Sequence, residues 1–147
     1  MGQLYNVRNQ SWRMTGKFKQ HLWICLLAML PSFCFGQQSE WTVSEEESKH
    51  ENPLANDEQA WLKGKKLFNK MCWICHGNSG EGNGPGSANL NPKPKNLTDS
   101  TLQKQTDGTL FWKISNGRGA MAPYKMTLLE KERWQLVNYI RTLGTGE

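Results

Sequence analysis

Cys72-Trp73-Ile74-Cys75-His76 constrains this 147-residue chain more than any other stretch. Two thiols three positions apart lie on one helical turn and can reach the two vinyl groups of a single haem as thioethers. The next residue, His76, then points its imidazole at the iron from the same side. Two other chemistries use a Cys-x-x-Cys pair. A redox dithiol belongs in a βαβ sequence, and strand patterns are absent here. A zinc site needs a second Cys or His pair, and beyond the apolar run near the N-terminus only His50 remains elsewhere. The spacing therefore predicts one covalently attached haem c, with Cys72 and Cys75 as attachment points and His76 as an axial ligand.

The N-terminus reads as an export signal spanning residues 1–36. Arg8, Arg13, Lys17 and Lys19 precede an apolar run from Leu22 to Phe35, and small Gly36 stands before Gln37. Cleavage is expected after Gly36, and Met14 gives a more usual signal length than Met1. A lipid-modified Cys34 is disfavoured by the bulky Phe33 before it. The run is also short of the ~20 apolar residues that a spanning helix needs, so no spanning helix is expected in the mature chain. Those four basic residues carry most of the formal net charge of +5, so the remainder is close to neutral. With no basic stripe interleaved with aromatics, nucleic-acid binding finds no support. Residues 37–56 run into an acidic stretch, Glu40, Glu45, Glu46, Glu47, Glu51, Asp57 and Glu58 against Lys49. Only Trp41, Val43, Leu54 and Ala55 are there to bury, which predicts a solvated linker or a poorly ordered arm.

Residues 57–147 are then the single folded domain. A chain this short excludes a multidomain enzyme and a polytopic membrane protein, and five Trp beyond residue 36 exclude general disorder. Ala60, Gly64, Leu67, Phe68 and Met71 share one face of a helix over about 57–71, with Asn56 or Asp57 as its cap. Asp107 to Asn116 reads as a helix with Leu110, Phe111 and Ile114 inward and Gly117 ending it. Thr127-Leu128-Leu129-Glu130 has the form of a capping box opening a helix over about 128–143, with Leu129, Leu136, Ile140 and Leu143 on one face and Gly144 as its stop. Between these, the Gly- and Pro-rich segment 77–94 is loop. An all-α domain follows.

Four segments together resemble a class I c-type cytochrome: Gly64-Lys65-Lys66-Leu67-Phe68, the Cys72–His76 run with Gly77, Gly117-Arg118-Gly119-Ala120-Met121, and Trp134-Gln135-Leu136-Val137-Asn138-Tyr139-Ile140. Small bacterial monohaem proteins and the cytochrome c domains of respiratory complexes are the nearest groups. The resemblance covers about residues 57–145. It implies the cytochrome c fold, three to four helices and long loops wrapped around one haem c, with Gly64 and Phe68 meeting Leu136 and Tyr139. It further implies Met121 as the distal iron ligand and a proline carbonyl accepting the other ring proton of His76, with Pro92 and Pro94 both available and Pro94 preferred. Family members carry Pro directly after the ligand Met, whereas Ala122 intervenes here before Pro123. Met126 is the competing ligand, its alternative role being packing. Met71 reads as core.

Iron held by His and Met has both axial positions filled, so the expected task is one-electron transfer rather than catalysis. The expectation is an extracytoplasmic, periplasmic electron carrier of a respiratory chain. Its redox partners would be a quinol-oxidising complex or dehydrogenase on one side and a terminal oxidase or reductase on the other. Two alternatives stand beside it. One is a haem enzyme or gas sensor with an open distal site, and the other a subunit through which electrons enter a larger oxidoreductase complex.

Overall fold

The computed structural model describes residues 40–145, so the expected export signal and its cleavage point lie outside the described residues. In chain order the helices are α1 (Glu45–Ser48), α2 (Ala60–Met71), α3 (Trp73–His76), α4 (Ser100–Gln103), α5 (Asp107–Asn116) and α6 (Glu130–Thr145), with one 3-10 turn at Pro85–Ser87. Among the described residues there is no strand. The one extended pairing is an isolated bridge between Arg118 and Met121.

The apolar stripe of α2 buries Ala60, Gly64 and Phe68 against Leu136, Val137, Tyr139 and Ile140 of α6. Gly64 is what lets the two helices touch. A Cβ built there falls on the Gln135 carbonyl, with the carbonyl carbon 2.6 Å away and Tyr139 Cβ at 3.0 Å. Phe68 then meets Tyr139 edge-on, ring centroids 5.1 Å apart, a geometry aromatic pairs favour. The expected contact of Gly64 and Phe68 with the last helix is thus present.

Helix α5 has the predicted bounds because both its ends are set locally. The Thr106 hydroxyl accepts from the Thr109 N–H, and Gly117 ends the helix at φ +61. Leu110 and Ile114 are buried and Phe111 is half-buried against Trp134, the rings stacked 4.0 Å apart. The Arg133 guanidinium lies 4.6 Å from the Phe111 centroid and donates to the Ser115 hydroxyl.

Helix α6 departs from expectation at its start. The Thr127 and Leu128 N–H groups both donate to the Tyr124 carbonyl, which makes that segment a turn. The acid that reaches back is Glu132, whose carboxylate accepts from the Leu129 N–H at 2.8 Å. Leu129, expected on the buried face, is therefore 72% exposed. Gly144 does not stop the helix either. It lies within α6 and packs on the Gln103 side chain, whose amide carbon is 2.5 Å from a Cβ built at 144. The α2 start is likewise later than expected: Asp57 makes a turn, its carboxylate accepting from the Gln59 N–H at 2.9 Å, and the helix proper begins at Ala60.

The acidic stretch expected as a solvated linker or poorly ordered arm is docked over residues 44–55. Ser44 caps α1, accepting from the Glu47 N–H. The Thr106 hydroxyl donates to the Ser48 carbonyl at 2.6 Å. The Asn52 amide donates to Asp107 at 2.8 Å and to Asn138 at 2.6 Å, while the Asn138 amide donates to the Leu54 carbonyl at 2.8 Å. Arg141 closes the network, donating to Asp107 at 2.8 Å and to the Gln103 and Gln105 carbonyls. Gly108 supplies the seat for this strap. A Cβ there would stand 2.7 Å from the Glu47 and Ser48 carbonyl oxygens and 2.9 Å from that of His50. Gly108→Ala should therefore lift the strap at a cost of about 1–3 kcal/mol, read as faster proteolysis within residues 44–55 and a lower melting temperature.

Candidate haem site

Cys72 ends α2 and α3 runs straight on through Cys75 to His76, so the two thiols and the imidazole share one continuous turn of chain. The Cys75 and His76 N–H groups both donate to the Cys72 carbonyl, at 3.2 and 2.9 Å. Both thiols are free and half-buried. Burial, with the neighbouring Cys75 thiol adding to it, pushes the Cys72 thiol up to about 12. A redox dithiol needs the opposite shift, toward the thiolate.

The loop that follows folds back over this turn. The Gly82 N–H donates to the His76 carbonyl at 2.7 Å, the Gly84 N–H to the Cys75 carbonyl at 3.1 Å, and the Leu97 N–H to the Gly80 carbonyl at 2.7 Å. The Gly82 backbone lies against Pro94 and Lys95, whose carbonyl carbons are 3.2 and 3.4 Å from a Cβ built at 82. That crossing brings the Lys95 carbonyl to 3.3 Å from His76 Nδ1. The accepting carbonyl is thus Lys95, one residue beyond the Pro94 expected from sequence. With the Nδ1 proton directed there, Nε2 is left with its lone pair, the tautomer an iron ligand needs. Burial lowers the His76 pKa, with the Lys95 carbonyl opposing it, so the ring stays neutral near neutral pH. Phe68 stands behind the imidazole at 6.5 Å between ring centroids and ties it to the α2–α6 core.

Met121 and Met126, the two candidates for the distal role, differ in burial. Met121 is half-buried and packs against the core cluster, as do Cys72, Trp73 and Tyr124. Met126, whose alternative role was packing, is 88% exposed. Met121 sits on a tight turn: the Arg118 N–H donates to the Met121 carbonyl at 2.9 Å, and the Met121 N–H donates to the Arg118 carbonyl at 3.0 Å. Gly117 allows the return, since a Cβ there would meet the Met121 carbonyl and sit 2.6 Å from Ala122 C and Pro123 N. The turn is then joined to α5 by the Tyr124 N–H, donating to the Ile114 carbonyl at 3.1 Å. Burial and the nearby thiols of Cys72 and Cys75 raise the Tyr124 phenol above its usual value. Sequence reasoning had not marked Tyr124, and nothing in its spacing distinguishes it from an ordinary loop tyrosine.

This donor set fits a haem c: two unpaired thiols on one turn, a neutral imidazole with Nδ1 directed to a carbonyl, and a packed thioether. The half-buried apolar side chains beside them, Trp73, Met121 and Tyr124, suit a flat apolar group. The fold is the all-α cytochrome c fold, and the domain is a class I c-type cytochrome. A family model described as cytochrome C oxidase, cbb3-type, subunit III matches residues 59–140. The chain belongs to that family. The cbb3-type cytochrome c oxidase subunit FixP of Azorhizobium caulinodans is 34% identical over 93 residues, 62% of this chain and 30% of that protein. The chain therefore spans under a third of this curated relative. Among solved structures, a chain of the Kuenenia stuttgartiensis reducing HAO-like protein complex superposes with a TM-score of 0.53 at 28% identity, over 62% of this chain and 46% of that one. Cytochrome CL from Methylophaga aminisulfidivorans gives 0.50 at 28% identity, over 74% and 71%.

Proposed function

We propose that the domain holds one haem c through thioethers from Cys72 and Cys75, with His76 and Met121 as axial ligands, and passes single electrons to or within an extracytoplasmic oxidase-type complex. The observation that carries this reading is the disposition of the donors. His76 is oriented by the Lys95 carbonyl on one side of the Cys72–Cys75 turn, and Met121 rather than Met126 packs into the core. Bound there, haem c supplies reversible one-electron ferric–ferrous chemistry. The chain's part is to keep Nε2 of His76 basic and correctly aimed, and to offer a soft sulfur that favours the reduced metal. With both axial positions taken by side chains, no substrate position is left, which favours electron transfer over the enzyme and gas-sensor readings. The FixP relative, named as an oxidase subunit, supports service as a subunit through which electrons enter a complex. No helix of the described residues is long and apolar enough to cross a membrane.

The axial assignment has a direct test. Ferric iron bound by a thioether absorbs weakly at the red end of the visible spectrum. Met121→Ala should abolish that band, open the site to carbon monoxide, and lower the potential by a sizeable part of the ~0.8 V range that axial ligands control. Met126→Ala should change neither band nor potential. Survival of the band in Met121→Ala would refute the assignment.

A further inference from the structure

Trp41 lies three residues before the cap of α1, in a stretch otherwise rich in acids, and its ring is half-buried. It faces two cations: Lys113 Nζ is 5.4 Å and Arg118 Cζ 6.0 Å from the ring centroid, both within cation–π range. Lys113 belongs to the last turn of α5. Arg118 is the residue whose backbone closes the Met121 turn. One aromatic ring therefore bridges the end of a core helix and the turn that carries the thioether.

The turn is joined to α5 beyond Pro123 by the Tyr124 N–H, but its tip faces solvent. Arg118, Gly119, Ala120, Ala122 and Pro123 are all exposed, and nothing lies within 4 Å of a Cβ built at Gly119. The ring, by contrast, precedes a docked segment. The strap that follows it is fixed through Thr106 to Ser48, Asn52 to Asp107 and Asn138, and the seat at Gly108. The first strap residue seated on Gly108 is Glu47, six positions after Trp41, and this short tether lets the contact with Arg118 limit how far the turn can open. We propose that Trp41 is a positioning residue for the Met121 turn, clamping it to α5 through Arg118. The effect on the thioether rests on the Met121 assignment made above; the clamp on the turn does not.

The test uses ferric and ferrous holoprotein of the full chain, with imidazole as a competing iron ligand. Apparent affinity for such a ligand rises with the fraction of molecules whose turn is open. Losing two exposed cation–π contacts should raise that fraction about tenfold. Trp41→Ala should thus bind imidazole about tenfold more tightly and exchange the Arg118 and Met121 amide hydrogens about tenfold faster. Trp41→Phe, which keeps an aromatic face, should recover most of the difference, and Trp41→Leu, which keeps only bulk, should not. The Arg118→Gln change should add little in the Trp41→Ala background, as expected for partners in one interaction.

Unchanged imidazole affinity and amide exchange in Trp41→Ala, while Met121→Ala still abolishes the red band, would overturn the clamp and leave the ligand assignment standing. Rescue by Leu equal to that by Phe would also overturn it, by showing that only packing matters. If Met121→Ala keeps the band, the ligand assignment fails. Amide exchange at Arg118 and Met121 then decides the clamp alone, faster exchange in Trp41→Ala supporting it and unchanged exchange refuting it.

Discussion

Gly64→Ala should cost this domain at least ~3 kcal/mol, because the added methyl has nowhere to go. It would point into the Gln135 carbonyl, with the carbonyl carbon at 2.6 Å and Tyr139 Cβ at 3.0 Å. Two of these atoms are backbone of α6, and neither a rotamer change nor a local shift of a flexible side chain can clear them. Relief requires α2 and α6 to separate, which loosens Phe68, Leu136 and Val137, the most completely buried large side chains among the described residues. For a domain of this size ~3 kcal/mol lowers the melting temperature by on the order of 15 °C. Gly119→Ala is the matching control. Its methyl meets nothing within 4 Å, and only the positive φ of +58 opposes it, so about 1–2 kcal/mol is expected. Thermal melts of ferric holoprotein followed in the haem band check both. A Gly64→Ala protein melting within a few degrees of the parent would mean that the helices do not approach as closely as described.

What could be read in the sequence was what depends on neighbouring residues or on period. The Cys72–His76 run marks its site by spacing alone, and the stripe through Ala60, Gly64 and Phe68 follows the helical repeat. Helix α5 is bounded by a Thr cap and a Gly stop, each acting within one turn. The misjudged features were decided by tertiary contacts between backbone groups. A carbonyl carries no residue signature, so the sequence offered only Pro92 and Pro94, whereas the crossing at Gly82 presents the Lys95 carbonyl. Thr127 and Glu130 make a plausible cap, but the Tyr124 carbonyl draws Thr127 and Leu128 into a turn and leaves the reach-back to Glu132. The strap looked too polar to dock because it buries few apolar side chains. It is held instead by Asn52, by Thr106 and by carbonyls fitting over Gly108, with hydrogen-bond partners 55 or more positions apart in sequence. Trp41 was visible as an aromatic among acids, but its two cations come from a helix and a turn distant in the chain.

Replacing Cys72 or Cys75 by Ala should remove nearly all stable protein from cells that attach haem to the parent, with at least a tenfold drop in recovered haem-stained domain. The reason is structural rather than catalytic. Around the turn that bears the thiols, Met71, Trp73, Met121 and Tyr124 are only partly buried although they pack on the core. Covering such surface is worth ~25 cal/mol per Å², and a domain this small has little stability to spare without it. A covalently held group makes that coverage permanent, whereas a detached one leaves by dissociation. Cys72→Ser and Cys75→Ser, close to the parent in size, should fail as the alanine variants do, because the missing element is the thioether bond and not the volume of a thiol. Pyridine haemochrome assay of the purified domain reports attachment, and circular dichroism melting reports folding. A cooperative melt near the parent temperature from a haem-free Cys72→Ala/Cys75→Ala domain would show that the helices close their core unaided. In that event the proposed haem would act only as cargo carried by the fold, and the partial burial of Met71, Trp73, Met121 and Tyr124 would need another cause.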